Sequence, residues 1–144
     1  MSSFVNTIDV LGDNVVLRMI LERTITELKD NVLVKTENYL FIKCSELTIV
    51  DLPNVTSIGD FSFYQCAKLT SVILRSTTIC RLSNTNAFTY SPIYSGSGYI
   101  YVPSSLVDTY KSASNWSAFA SQFRALEDYT VDGTITGELD PTKI

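Results

Sequence analysis

Residues 39–52, YLFIKCSELTIVDL, and residues 61–74, FSFYQCAKLTSVIL, set apolar and polar side chains in the same order. A shift of 22 residues (39 to 61) lays Tyr39 on Phe61, Phe41 on Phe63, Cys44 on Cys66, Leu47 on Leu69, Thr48 on Thr70, Val50 on Val72 and Leu52 on Leu74. A fixed period of this size marks a duplicated structural unit. At the end of each copy the apolar residues alternate at period two (Val50 and Leu52, then Val72 and Leu74), which predicts a short half-buried strand. Pro53 and Asn54 stop the first strand, because proline has no N–H to give a ladder. So short a unit cannot close a core alone. Stacked copies can, with each strand parallel to its copy and the apolar residues in continuous columns.

A third, broken copy is expected from STTICRLSNTNAF, returning to a strand at YIYVP. Its spacing stretches from 22 to about 28, so a loop has been inserted. The SGSG at 95–98 lies in that loop and reads as a flexible turn, since it lacks the Lys-Ser/Thr of a phosphate loop. The register predicts that Cys44 and Cys66 are neighbouring small hydrophobes, buried and reduced. A nucleophilic Cys66 would need a base and a lowered pKa, and the chain has no histidine and no basic cluster near it. Three cysteines are an odd count and no disulfide is expected. Glu46 should pair with Lys68 one rung away.

The ends must cover the terminal rungs. Ser105 with Asp108 fits a capping box opening a short helix that carries Val107 and Tyr110. A second helix is expected with Trp116, Phe119, Ala120 and Phe123 on one face, Trp116 lying over the last rung. Near the N-terminus, GDNVVLRMILERTITEL predicts a helix capped by Asp13. Its polar stripe is only Asn14, Arg18 and Glu22, so Val16, Met19 and Ile20 belong to more apolar surface than one rung covers. That makes this segment the expected assembly element, with Thr24–Leu28 a strand leading inward. In the tail, Asp132-Gly133 is a two-residue hairpin signal, and the acidic spacing fits no calcium loop. The expected organisation is an anchor at 1–32, repeats at 33–103, a helical cap at 104–128 and an extended tail at 129–144.

VTSIGDFSFYQCAKLTSVIL, residues 55–74, resembles a BspA-type leucine-rich repeat in its Val-Thr-Ser-Ile-Gly turn, aromatic pair, Cys and Leu-Thr-Ser-Val. The first copy lacks the Ile-Gly, and the resemblance covers roughly residues 33–128. YVPSSLVDTYKSASNW is similar to the endings of repeat-bearing phage proteins. The resemblance implies an α/β repeat, a short leucine-rich-repeat-like β-solenoid with parallel strands, an N-terminal helix and a C-terminal helical cap. It further implies a non-enzymatic bacteriophage virion protein, a head or tail fibre or decoration subunit displaying its repeat surface for attachment. The alternative is a protein- or glycan-binding module of a bacterial surface adhesin, since this repeat serves both.

Composition narrows the classes. With 45% hydrophobic and 18% charged residues the chain can form a packed core. A net charge of −4 and a pI near 4.7 argue against nucleic acid, and the scattered basic residues form no patch for an anionic membrane. No apolar run approaches the ~18 residues of a membrane span, and the first residues carry no signal-peptide pattern. Synthesis in a host cytoplasm and residence in the virion are therefore expected. Without histidine, nucleophile elbow or phosphate loop, no enzymatic activity and no cofactor are expected. The expected partner contacts are Val16, Met19 and Ile20, for a homo-oligomer (a trimer before a dimer) or another virion protein. Tyr90 and Tyr94 are the candidates for a host surface protein or glycan, because aromatics supply binding area at modest entropy cost. Tyr99 and Tyr101 belong either to that surface or to a strand facing the cap.

Overall fold

The structure, a computed structural model, describes residues 26–29, 33–131 and 134–135. The N-terminal helix with Val16, Met19 and Ile20 falls outside the described residues. Strands β1 (Glu27–Lys29), β3 (Ile49–Asp51), β5 (Ser71–Ile73), β7 (Tyr99–Val102) and β8 (Phe123–Ala125) form a parallel five-stranded sheet in that order. Strands β2 (Lys35–Thr36), β4 (Ser57–Ile58) and β6 (Arg81–Leu82) form a second parallel sheet. From β1 to β7 the chain gives one strand to each sheet in turn, the arrangement of a small leucine-rich-repeat-like α/β repeat. Leu28, Val50, Val72 and Ile100 are partners across the first sheet, so its steps are 22, 22 and 28 residues. The widened step from β5 to β7 holds the inserted loop, which contains the short helix α1 (Pro92–Ser95).

Between the two strands of each pass the chain makes an arch. Here every second N–H crosses to the next rung: those of Tyr39, Phe41 and Lys43 donate to the carbonyls of Asp60, Ser62 and Tyr64 at 2.9, 2.9 and 2.7 Å. The intervening N–H groups of Leu40, Ile42 and Cys44 stay within their own turn. Phe63 and Gln65 repeat the pattern, donating to Ala87 and Thr89. This alternation puts Tyr39, Lys43, Phe61, Gln65 and Tyr90 in the left-handed region, with φ from 57° to 65°. Gly59 serves close approach instead. A Cβ there would stand 2.8 Å from the Thr36 carbonyl oxygen and the Asn38 nitrogen, so the Ile-Gly of the repeat lets one rung settle on the last.

Inside lie the predicted columns. The Phe41, Phe63 and Phe88 rings stack at 5.4 and 5.7 Å with interplanar angles of 13° and 3°. Leu47, Leu69, Val50, Val72, Leu52 and Leu74 are all buried. Cys44, Cys66 and Cys80 are buried thiols, and Cys66 Sγ donates to the Phe41 carbonyl at 3.3 Å. Thiol labelling of the native protein is therefore expected to be slow at all three and fast after denaturation; rapid native labelling at Cys44 or Cys66 would contradict the rung register. Lys68 Nζ meets Glu46 Oε1 at 2.9 Å across rungs, as the register requires. Both side chains are more than half exposed, so the pair contributes about 0–1 kcal/mol.

The C-terminal cap differs from expectation in two places. Ser105 lies inside a 3-10 turn, Ser104–Leu106, and the helix α2 (Val107–Lys111) that follows has Leu106 at its N-cap with no side-chain bond. The Ser105–Asp108 capping box is thus not formed, because Ser105 is already helical when a cap must be extended. The second helix is a kinked 3-10 segment, Trp116–Gln122, and Phe123 opens β8 opposite Ile100. The edge of β7 explains this. Helix through 123–125 would leave its N–H and C=O row unpaired, and a parallel strand satisfies it.

The second sheet ends differently, with side chains in place of a next strand. Beside β6, Cys80 N–H donates to the Tyr110 hydroxyl at 2.7 Å and Trp116 Nε1 donates to the Cys80 carbonyl at 2.6 Å. Asn115 Nδ2 donates to the Leu82 carbonyl at 2.7 Å. Trp116 also lies 6.1 Å from the Phe88 ring, over the last rung as predicted. Burial pushes the Cys80 thiol from 9.0 up to about 12 and the Tyr110 phenol from 10.0 up to about 12. Both groups are favoured neutral in the fold, so their stabilisation is whole below the unfolded-state values and is lost as pH rises from about 9 toward 12. Denaturation midpoints are expected to fall steeply over that window. Tyr110→Phe should be weaker at neutral pH by about 1–3 kcal/mol, the cost of a buried unpaired N–H, and should lose less stability in alkali.

The tail turns back on the protein. Tyr129 is buried with its ring 4.9 Å from Tyr101, and Asp51, Glu27 and Arg75 all act on its phenol, which burial in the first place pushes above the usual tyrosine value. It therefore lies over the outer row Asp51–Ile73–Tyr101 of the first sheet, where Ile73 is fully buried on a face that alternation assigns to solvent. Strands β9 (Thr130–Val131) and β10 (Thr134–Ile135) then pair antiparallel with Val131 opposite Thr134, which fits the two-residue hairpin.

Candidate functional site

The arch exposes a line of aromatic rings across successive rungs. Tyr39 stacks on Phe61 at 5.1 Å and 10°, Phe61 meets Tyr64 edge-on at 5.3 Å, and Tyr64 meets Tyr90 edge-on at 5.3 Å. The 22-residue period itself builds the first contact, since Tyr39 and Phe61 occupy the same position of consecutive units. Tyr39 is 49% exposed and Tyr90 64%, while Phe61 and Tyr64 are half-buried. Left-handed backbone at Tyr39, Phe61 and Tyr90 is a conformation bulky residues seldom adopt, and the arch hydrogen bonds hold it.

Beyond Tyr90 the ridge opens into a shallow groove of about 550 Å³, lined by Ala67, Thr89, Tyr90, Ser91, Pro92, Tyr94 and Ser95. Helix α1 positions its far wall. Ser91 caps it, its hydroxyl 3.4 Å from Tyr94 N, Pro92 occupies the first turn, and Gly96 ends it at φ 96°. Tyr94 stands 50% exposed and is braced edge-on by Phe119 at 6.3 Å. The hydroxyls of Tyr39, Tyr64, Tyr90 and Tyr94 make no hydrogen bond among the described residues. Among the described residues no charged side chain lines the groove. The arrangement offers flat apolar area and hydroxyl groups on a rigid frame. It has no general base and, among the described residues, no cluster able to hold a metal ion.

The structure thus brings Tyr90 and Tyr94 together and separates them from Tyr99 and Tyr101. The latter pair projects from the outer face of the five-stranded sheet. Tyr99 lies under the Arg124 guanidinium at 4.6 Å, and Tyr101 is half-buried against Tyr129. Sequence reasoning missed Tyr39, Phe61 and Tyr64 as members of the exposed line. The signal was present in the matched aromatic pair, but it reads equally well as core. Among the described residues no helix is long and apolar enough to cross a membrane.

Two parallel sheets fed in turn and arches at a fixed period define a repeat protein. Residues 5–94 match the family model described as the BspA type leucine rich repeat region (6 copies), and the chain belongs to that family. The match begins well before the described rungs and stops at Tyr94, short of the cap. Among curated proteins and among solved structures there is no significant match.

Proposed function

We propose that this chain is a non-enzymatic recognition module that presents the Tyr39–Phe61–Tyr64–Tyr90–Tyr94 surface to a partner. The observation that carries the reading is the continuity of that exposed aromatic surface over consecutive rungs, on a frame whose strands and arches are each tied to the next rung. In this reading the rungs close into a short solenoid and the module sits on a bacteriophage virion as a head or tail fibre or decoration subunit. Support for the virion comes from the phage-like run YVPSSLVDTYKSASNW. Val16, Met19 and Ile20 are assigned to assembly, as a homo-oligomer (trimer before dimer) or on another virion protein. The target of the displayed surface is on the host, and neither nucleic acid nor membrane insertion enters.

The test is fractionation of a producing lysate on a density gradient. The protein should travel with purified particles at fixed stoichiometry. Recovery in the bacterial envelope fraction, with none on particles, would replace the virion reading by the adhesin one. Light scattering on the full chain and on a chain starting at Thr24 should show a trimer becoming a monomer. A monomeric full chain would remove the assembly role of the N-terminal segment.

A further inference from the structure

The inserted loop that carries Tyr94 is tied to the cap by one buried side chain. Gln122 ends the 3-10 segment Trp116–Gln122 and is 5% exposed. Its Nε2 donates to the Ile93 carbonyl at 2.6 Å and to the Gly98 carbonyl at 2.9 Å. An amide nitrogen has two hydrogens, so both are committed, one to each arm of the loop. Buried amides and carbonyls cost free energy unless they are bonded, so these three groups depend on one another. Between the two carbonyls the loop is wound tight. The N–H groups of Gly96, Ser97 and Gly98 donate to one acceptor, the Pro92 carbonyl, at 3.1, 3.0 and 3.0 Å. A Cβ at Gly98 would stand 2.8 Å from Ile93 Cδ1 and 2.9 Å from the Thr70 carbonyl oxygen, so the returning arm presses on the preceding rung.

The peptide group between Ile93 and Tyr94 is pinned on both sides. Its oxygen takes the Gln122 bond, and its N–H donates to the Ser91 carbonyl at 3.0 Å. Because that group is planar, fixing both of its polar atoms restricts the direction in which the Tyr94 side chain leaves the backbone. From the same segment of the cap, Phe119 meets the Tyr94 ring edge-on at 6.3 Å. We propose, resting on the recognition reading above, that Gln122 is a positioning residue for the recognition surface: by holding the Ile93 and Gly98 carbonyls it keeps the loop closed and sets where Tyr94 stands. Filling space does not call for an amide here. Methionine is as long and adapts to irregular gaps, but it brings no donor for the two carbonyls.

The test compares four full-length chains: the parent, Gln122→Met, Tyr94→Ala and the double variant. Limited chymotrypsin digestion under native conditions reads the loop itself. Gln122→Met should be cut after Tyr94 at least about tenfold faster than the parent, because cleavage follows the open population and one such bond shifts it that far. Attachment to host cells should fall at least about tenfold in Gln122→Met, as when an aromatic anchor is lost. Since Gln122 acts through Tyr94, adding Gln122→Met to Tyr94→Ala should weaken attachment no further. A side chain that merely supports the fold would give losses that add, and cuts dispersed along the chain rather than first at Tyr94; either result overturns the proposal. If Gln122→Met does not fold, Gln122→Asn replaces it, keeping the amide but reaching one carbon less. Attachment that needs Tyr90 and Tyr94 but is indifferent to Gln122 overturns the positioning role and leaves the recognition reading standing. Attachment indifferent to the tyrosines as well removes the recognition reading, and the positioning role with it.

Discussion

Trp116→Ala should unfold the protein or bring it to the edge of unfolding, and no other single substitution away from the surface ridge is expected to cost more. The indole is 1% exposed and touches the rings of Phe88, Tyr110 and Phe123 at 6.1, 5.6 and 5.8 Å. Truncating so enclosed a ring costs about 3–5 kcal/mol. Its Nε1–H also serves the Cys80 carbonyl at 2.6 Å, and a buried carbonyl left without a donor costs about 1–3 kcal/mol more. Together these approach the whole stability of a domain this size, about 5–15 kcal/mol. Urea denaturation should show Trp116→Phe intermediate between the two, because it keeps most of the ring area and loses only the hydrogen bond. A Trp116→Ala protein with a near-native midpoint would mean that the last rung is not closed by this side chain.

Phe63→Ala is the second. Phe63 is the middle ring of the internal stack, 5.4 Å from Phe41 and 5.7 Å from Phe88, and is fully buried. The expected loss is about 3–5 kcal/mol, and Leu69→Ala on the same rung should cost about 2–5 kcal/mol. Because the three rings touch in series, the losses from Phe63→Ala and Phe88→Ala should not add. A double-mutant cycle should give a coupling of about 0.5–1.5 kcal/mol, the size measured for aromatic pairs. Strict additivity would show that the rings do not act as one column.

The legible part of the fold was the part repeated in the chain. Phe41/Phe63, Cys44/Cys66 and Val50/Val72 fall at one period, so their columns and the parallel register follow from a single shift, while the 28-residue step to β7 was legible from the return to a strand at YIYVP. The Glu46–Lys68 contact follows from it too. Where the repeat stops, the signals become ambiguous. Trp116, Phe119 and Phe123 sit at helical spacing, yet the ladder of β7 takes Phe123 into a strand, and only that unpaired edge decides the matter. Ile73 looks outward by alternation yet is fully buried, in the row of Asp51 and Tyr101 to which Tyr129 returns from more than fifty residues away in sequence. The ridge was half visible. Tyr90 and Tyr94 stood out as aromatics in an inserted loop, whereas Tyr39, Phe61 and Tyr64 carry the same residue types as the core, and only the left-handed arch turns them outward.

Recognition of a partner by this aromatic surface is tested most directly by attachment of the full chain to host cells. The comparison is between the parent and a Tyr90→Ala/Tyr94→Ala variant whose thermal unfolding is followed alongside. Both rings are at least half exposed, so the variant should unfold at nearly the parent's midpoint while its attachment falls by at least about tenfold. Undiminished attachment by a variant as stable as the parent would contradict a recognition role for the ridge.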